Sequence, residues 1–136
     1  MFQDVTSLAF GVECFERSGA STLDVLIPRN SPYGTKKTNR YNTVANNQDR
    51  LRIDILQGKE NRDDKSLCTS LGHLWVRGLN KGPKGTEGAF VTFEINTDGL
   101  LTVSAEDCRG GEVNQLTVDN IANFTADRLA QLHEQH

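Results

Sequence analysis

At 136 residues the chain is long enough for one domain with an apolar core of its own, without disulfides or metals to staple it. Hydrophobic residues make up 36% and charged residues 24%, a globular balance rather than that of a disordered tail. The net charge of −3 supplies no overall pull toward nucleic acid or anionic membrane, and no apolar run approaches the roughly 20 residues of a membrane span.

The start, MFQDVTSLAFG, lacks the basic region and long apolar core of a signal peptide, so any transit peptide is expected to be missing already. Residues 1–3 are expected to be a disordered or extraneous start. Leu8, Phe10, Val12 and Cys14 then alternate with smaller or polar residues, the period of a half-buried strand. Ser18-Gly19-Ala20-Ser21 breaks it, and Leu23, Val25 and Ile27 form a second strand. Pro28 to Gly34 holds two prolines and a glycine and reads as a loop. Thr38 to Val44 reads as a third strand, with Arg40 and Asn42 interleaving Tyr41 and Thr43.

Leu51, Ile53 and Ile55 make the clearest strand, with Arg50, Arg52 and Asp54 on its other face. Lys59 to Asp64 is polar and expected to be exposed. Gly72 to Val76 is a short strand carrying the sole tryptophan, Trp75. The glycine-rich GLNKGPKGTEG leads into FVTFEINTDGLLTVSAED, where Val91, Phe93 and Ile95 alternate with Phe90, Thr92 and Glu94. Asn96-Thr97-Asp98-Gly99 supplies the turn, and Leu101, Val103 and Ala105 resume the alternation. Arg109-Gly110-Gly111 turns into a last strand at Val113 to Val118. The period then changes. Thr125 is a sound N-cap for a helix with Leu129 and Leu132, and Phe124 is placed to pack on Leu129.

These elements predict a mainly β fold, an antiparallel β-sandwich of about eight strands with a short C-terminal α-helix. The sandwich is expected over 4–120, and a linker with the first turns of a truncated helix over 121–136. Cys14, Cys68 and Cys108 form no CxxC pair, and His73, His133 and His136 complete no metal-ligand spacing. Reduced thiols, no metal and a cytoplasmic location are the expectation, with a mitochondrion or other organelle as alternatives. Asp63 and Asp64 stand in a polar loop, and Ser66 and His73 lie in no nucleophile-elbow pattern. The glycines form no GxxxxGK[ST] loop, so no enzyme activity is expected of this chain. Lys36, Lys37, Arg40 and Arg77 are scattered without interleaved stacking aromatics, which argues against nucleic-acid binding.

Four pieces in order are specific: DVTSLAFGVE at 4–13, LIPRN at 26–30, DILQGKE at 54–60, and the hairpin ending VSAED. KSL at 65–67 and GPKG at 82–85 add weaker support. Together they closely resemble the substrate-binding β-sandwich of the seventy-kilodalton heat-shock chaperones, over essentially the whole chain. The resemblance implies a module that holds extended apolar segments of unfolded polypeptides. Complete members carry an N-terminal ATPase domain, which would bind ATP and Mg²⁺, and a helical lid. This chain would then need no cofactor of its own. J-domain co-chaperones and a nucleotide exchange factor are implied only for the full-length protein.

Matched residue by residue, the resemblance places Phe10, Val12 and Cys14 along a groove wall, Tyr41 and Asn42 on the third strand, and Leu51 and Ile53 at the floor. Alternation by itself makes these residues ordinary sandwich core, and both readings stand here. Phe15 and Val44 match side chains that arch over bound peptide; ordinary burial beside a loop is the alternative. Ala89 stands where a larger aliphatic residue lines the pocket, which implies a deeper or reshaped pocket. Lys84 matches a basic lid-latching position, while Asn46 replaces its acidic counterpart. Arg29 and Asp98 match loop positions facing the ATPase domain, or are plain surface charges. The loop ERSGASTLD is longer than usual, extra residues lie between Gly58 and Gly72, and Gly34 replaces a common proline, which implies a divergent member. Two functions remain: a peptide-binding chaperone domain, or an interaction or regulatory module of the same fold that does not cycle clients. An exposed apolar trough is also expected to attract Leu129 or Leu132 from a neighbour's tail.

Overall fold

The computed structural model describes residues 4–15, 21–60, 67–111 and 113–118. They form eight strands: β1 (Ala9–Phe15), β2 (Ser21–Ile27), β3 (Lys36–Asn42), β4 (Arg50–Gly58), β5 (Thr69–Arg77), β6 (Gly88–Ile95), β7 (Leu101–Asp107) and β8 (Val113–Val118). All pairings are antiparallel, in two four-stranded sheets ordered β2-β1-β4-β5 and β3-β6-β7-β8. The expected antiparallel sandwich is therefore present. The expected C-terminal helix, with Thr125, Phe124, Leu129 and Leu132, lies outside the described residues. So do the start at 1–3 and the polar residues Asp63, Asp64 and Ser66.

The core follows from strand period. Val91, Phe93 and Ile95 of β6 and Leu101, Val103 and Ala105 of β7 point the same way and are wholly buried. They pack on Val12, Ile53, Ile55 and Val76 of the facing sheet. Each of these valine, leucine, isoleucine and phenylalanine side chains, when fully buried, contributes about 1.5–3 kcal/mol. The β6–β7 turn is set by Asn96, whose Oδ1 accepts the N–H groups of Asp98 and Leu100, both at 2.9 Å. Gly99 takes φ 81°, a left-handed conformation cheap only for glycine, and a Cβ there would lie 3.0 Å from the Tyr33 ring.

Two bulges alter the faces that alternation alone predicts. Between Phe10 and Gly11 the register shifts, so Ile27 stands opposite Phe10, Val25 opposite Gly11 and Asp24 opposite Val12. Leu23 and Val25 consequently leave the main core for a smaller cluster with Ala9, Leu56 and Cys68. Asp24 instead takes the core-facing side. The second shift lies in β5, where Gly72 stands opposite Ile55 and Ser70 opposite Leu56, so the extra residue Leu71 packs on the main core. β4 keeps plain alternation, with Leu51, Ile53 and Ile55 in the main core and Leu56 in the smaller cluster.

Two predicted boundaries move. The third strand begins at Lys36 and ends at Asn42, two residues earlier than Thr38–Val44. Lys36 and Lys37 pair with Glu94 and Phe93, and the strand is almost wholly exposed, an edge strand with charge on it. Val44 leaves the ladder because its N–H goes to Gln48 Oε1, 2.8 Å away. The fifth strand is longer than Gly72–Val76, running Thr69–Arg77 through the bulge, with Gly72 at φ 138°.

Antiparallel connectivity sends 43–49, 78–87 and 108–111 to one end of the sandwich. The connections 28–35 and 96–100 lie at the other end. That second end is stitched tightly. Buried Thr6 donates to the Pro28 carbonyl at 3.1 Å and accepts the Ser31 N–H at 3.0 Å. Arg29 lies there, ion-paired with Glu60 at 3.4 Å. Asp98 is exposed in its turn.

Candidate functional site

Among the described residues the first end exposes Val44 on its 43–49 loop and Val113 at the start of β8. Val44 is 76% exposed, the most of any large apolar residue among those described. The loop that presents it is held in one shape by side chains bonding backbone. Gln48 Oε1 accepts the N–H groups of Val44 (2.8 Å) and Ala45 (3.2 Å), while its Nε2 donates to the Arg50 carbonyl at 2.7 Å. Asn47 takes a left-handed φ of 58° and donates its N–H to Gly82. A surface loop with fixed geometry and an exposed valine offers contact area at little ordering cost.

That loop is joined to 78–87 by further bonds, among them the Leu79 N–H to the Asp49 carbonyl at 2.9 Å. Asn46 Oδ1 accepts the Lys84 N–H at 2.8 Å, Thr43 Oγ1 accepts the Gly85 N–H at 3.0 Å, and the Thr43 N–H donates to the Glu87 carbonyl at 2.8 Å. Asn46 and Lys84, paired in the sequence reading as half of an electrostatic latch, thus meet through an amide and a backbone N–H. Beneath them Glu87 is buried, its carboxylate held by the Arg109 guanidinium at 2.5 and 2.8 Å. That bidentate bond keeps the Glu87 carboxyl below the ordinary range against the opposing effect of burial. The same bond raises Arg109.

The sheet edges β2 and β3 meet beside this end through a polar clasp. Tyr41 Oη donates to Asp24 Oδ2 at 2.5 Å, and Asn39 Nδ2 donates to the same oxygen at 3.2 Å. Burial, then the bond to Asp24, pushes the Tyr41 hydroxyl well above its ordinary value, so it stays a donor. Cys14, part-buried nearby, is pushed up to about 11 by burial first, then by Asp24 and Glu13. At neutral pH it is a thiol, a small apolar surface rather than a nucleophile. Among the described residues no disulfide joins Cys14, Cys68 or Cys108, and no group of His, Cys, Asp and Glu gathers as metal ligands.

Placement sorts the residues named from sequence. Val12, Leu51, Ile53 and Ala89 are buried in the main core, the place alternation gives them. Ala89 stands in register with Tyr41, a small residue beside a large one. Cys14, Tyr41, Asn42, Val44, Leu51 and Ala89 all lie toward the same end, with Asn42 exposed and its Oδ1 accepting from Arg40 Nε at 2.8 Å. Phe10 is not brought to them. It stands opposite Gln57 near the far end of β1, about 13 Å from Cys14 at ~3.3 Å per residue. Phe15 closes β1, but its side chain lies outside the described residues. Asp24, Asn39, Gln48, Glu87 and Arg109 were not singled out from sequence. Only Asp24 carried a signal there, a carboxylate inside an otherwise apolar strand.

Comparison with known proteins is consistent across the chain. A family model described as Hsp70 protein matches residues 1–136. A chaperone protein dnaK of Thalassiosira pseudonana is 33% identical over 97% of this chain and 21% of its own length. A mitochondrial heat shock 70 kDa protein of Pisum sativum is 35% identical over 97% of this chain and 20% of its own. The chaperone protein DnaK of Mycoplasma mobile is 32% identical over 95% and 20%. The chain spans about a fifth of the length of these relatives. No helix among the described residues is long and apolar enough to cross a membrane.

Proposed function

We propose, on the premise that this chain belongs to the Hsp70 family of chaperones, that it is the polypeptide-holding sandwich of such a protein. Its site is the end that carries Val44. The observation behind this reading is the exposed Val44 on a loop pinned by Gln48, above the strand ends that bring Cys14, Tyr41, Leu51 and Ala89 together. An extended apolar segment would lay one side chain toward that cluster while Val44 covers it from the loop. Its backbone would meet polar groups such as Asn42 at the strand ends. Val12 and Ile53 would serve as the wall and floor behind.

In this reading ATP and Mg²⁺ act elsewhere in the longer protein, and J-domain co-chaperones and an exchange factor engage that whole. Arg29 and Asp98, at the opposite end, are then the surface offered to a neighbouring domain. Asn46 and Lys84 support a lid from the loop end. Leu129 and Leu132 supply a segment that a second copy would hold. Three cysteines without a disulfide among them fit a reducing compartment such as the cytoplasm.

The test is fluorescence anisotropy with a labelled leucine-rich heptapeptide. Val44 is exposed, so Val44→Asp should leave the thermal midpoint unchanged while weakening binding by about tenfold or more. Unchanged affinity in that variant would overturn the site. Absence of binding across several apolar peptides would favour the other reading, an interaction module of the same fold. The Tyr41–Asp24 bond is the observation on that side, since it sets a carboxylate where an apolar wall is expected.

A further inference from the structure

The outer face of β4 and β5 carries a group of residues that the holding of apolar peptide does not use. Cross-strand register sets Arg50 opposite Arg77, Arg52 opposite Trp75 and Asp54 opposite His73. Like charges directly opposite each other destabilise an antiparallel pair, so Arg50 and Arg77 stand at a cost to the sheet. Trp75 organises the guanidinium groups around it, with the Arg77 carbon 5.6 Å and the Arg52 carbon 6.0 Å from its ring centroid. His73 meets the same ring edge-on at 6.4 Å.

Carboxylates satisfy this face only in part. Arg52 bonds Asp54 at 2.9 Å and Arg50 bonds Asp49 at 3.4 Å. Arg77 has no carboxylate partner among the described residues; its contact is the tryptophan ring. Beside it a cleft of about 600 Å³ runs between β5 and the β7–β8 turn, lined by His73, Trp75, Arg77, Asp107, Asn114 and Gln115 with the turn glycines. A Cβ on Gly110 or Gly111 would meet nothing within 4 Å, so the mouth is open.

We propose that this face docks an acidic, extended polypeptide segment along the cleft, with a carboxylate set between Arg77 and Arg50. Such an anion removes the like-charge pairing, and the guanidinium held against Trp75 is already ordered for it. The segment binds through side chains. Strand addition to β5 is opposed because Asn114 Nδ2 already bonds the Trp75 carbonyl. Spaced carboxylates fit the arrangement better than a continuous polyanion, because Asp49, Asp54 and Asp107 flank the arginines and the chain is net negative.

Trp75 is the sole tryptophan, so its emission reports on the site directly. The probe is an acetylated Glu-Val-Glu-Val-Glu amide, followed by Trp75 emission and by anisotropy of a fluorescein-labelled copy. Saturable binding is expected, weakened as ionic strength rises to 0.15 M, where the Debye length is about 8 Å. Arg77→Glu, an exposed change that sets opposite charges at the Arg50 pairing, should lower affinity by about tenfold or more in the anisotropy readout without lowering the thermal midpoint. Equal binding of the Gln-Val-Gln-Val-Gln peptide, unchanged affinity in Arg77→Glu, or no saturable signal would each overturn the proposal. Stronger binding of polyphosphate or an oligonucleotide would also overturn it. Competition by the leucine-rich heptapeptide would place the acidic peptide at the Val44 end instead, leaving that reading intact and this one refuted.

Discussion

Where β2 of one sheet faces β3 of the other, a carboxylate, a phenol and an amide clasp the sheets beside the loop end and leave a cleft of about 220 Å³ toward Pro28; where β5 faces β8, a single amide crosses beside a cleft of about 600 Å³. At the first edge Asp24 takes hydrogen bonds from Tyr41 and Asn39, and Gly11 behind it allows the β2 backbone to approach closely. At the second edge Leu116 comes near Gly72, Asn114 bonds the Trp75 carbonyl, and the sheets diverge toward Arg77 and Gly110. One edge is built to hold the sheets together beside the loop end. The other leaves charged and aromatic surface available. A sandwich can therefore carry two unlike sites without changing its core, because burial fixes only the inward residues of each strand.

The largest way to break the closed edge is at Gly11. A Cβ there would lie 2.0 Å from the Asp24 carbonyl oxygen and 3.0 Å from the Val25 Cα, both backbone atoms in a paired strand. Gly11→Ala should cost about 3 kcal/mol or more, above the common range for overpacking, since the strand itself must shift. Urea unfolding measures it, and a loss under ~1 kcal/mol would show that β2 is free to move.

A smaller break is the clasp itself. Tyr41→Phe keeps the ring and removes the hydroxyl, leaving Asp24 Oδ2 with Asn39. The bond is charge-assisted and part-buried, so its loss should cost about 1.5–2 kcal/mol in the same measurement. Because Tyr41 stands in register with Ala89, the phenylalanine should retain its packing. Heptapeptide binding in this variant then tells whether the clasp restrains the Val44 end. An unchanged unfolding midpoint would remove the closed edge from the comparison.

How far the sequence discloses each edge depends on polarity. The hairpin from β6 to β7 is legible because Val91, Phe93 and Ile95 alternate cleanly and Asn96 and Gly99 meet the needs of the turn. The strands at the closed edge are legible as strands, but not in their faces or ends. β3 has no apolar face to read, only Tyr41 half-buried among exposed residues. In β2 the bulge reassigns Leu23 and Val25 and brings Asp24 inward, and a register shift leaves no mark in a period-two pattern. Resemblance located Cys14, Tyr41, Val44 and Ala89 at one end, yet it also named Phe10, which the register places near the other. At the open edge Arg52 was legible as an outward charge, while Arg77 stood only among scattered basic residues. Their meeting at Trp75 required the pairing of two strands some twenty residues apart in the chain, which no local pattern contains.

The least costly change is Asn114→Ala at the open edge. The amide donates to a backbone carbonyl at a part-buried position, and both partners are neutral. Water can reach the Trp75 carbonyl through the adjoining cleft once the amide is gone, so the loss should be about 0.5–1 kcal/mol, less than for Tyr41→Phe. Hydrogen exchange should quicken along β5 and β8 while β2 and β3 keep their protection, because the clasp is untouched. Trp75 emission should move to longer wavelength as its surroundings take up water. If Asn114→Ala instead cost as much as Tyr41→Phe, or loosened β2 as well, the two edges would be one cooperative seam. The cleft beside Trp75 would then be a packing gap of that seam and not a surface held apart from it.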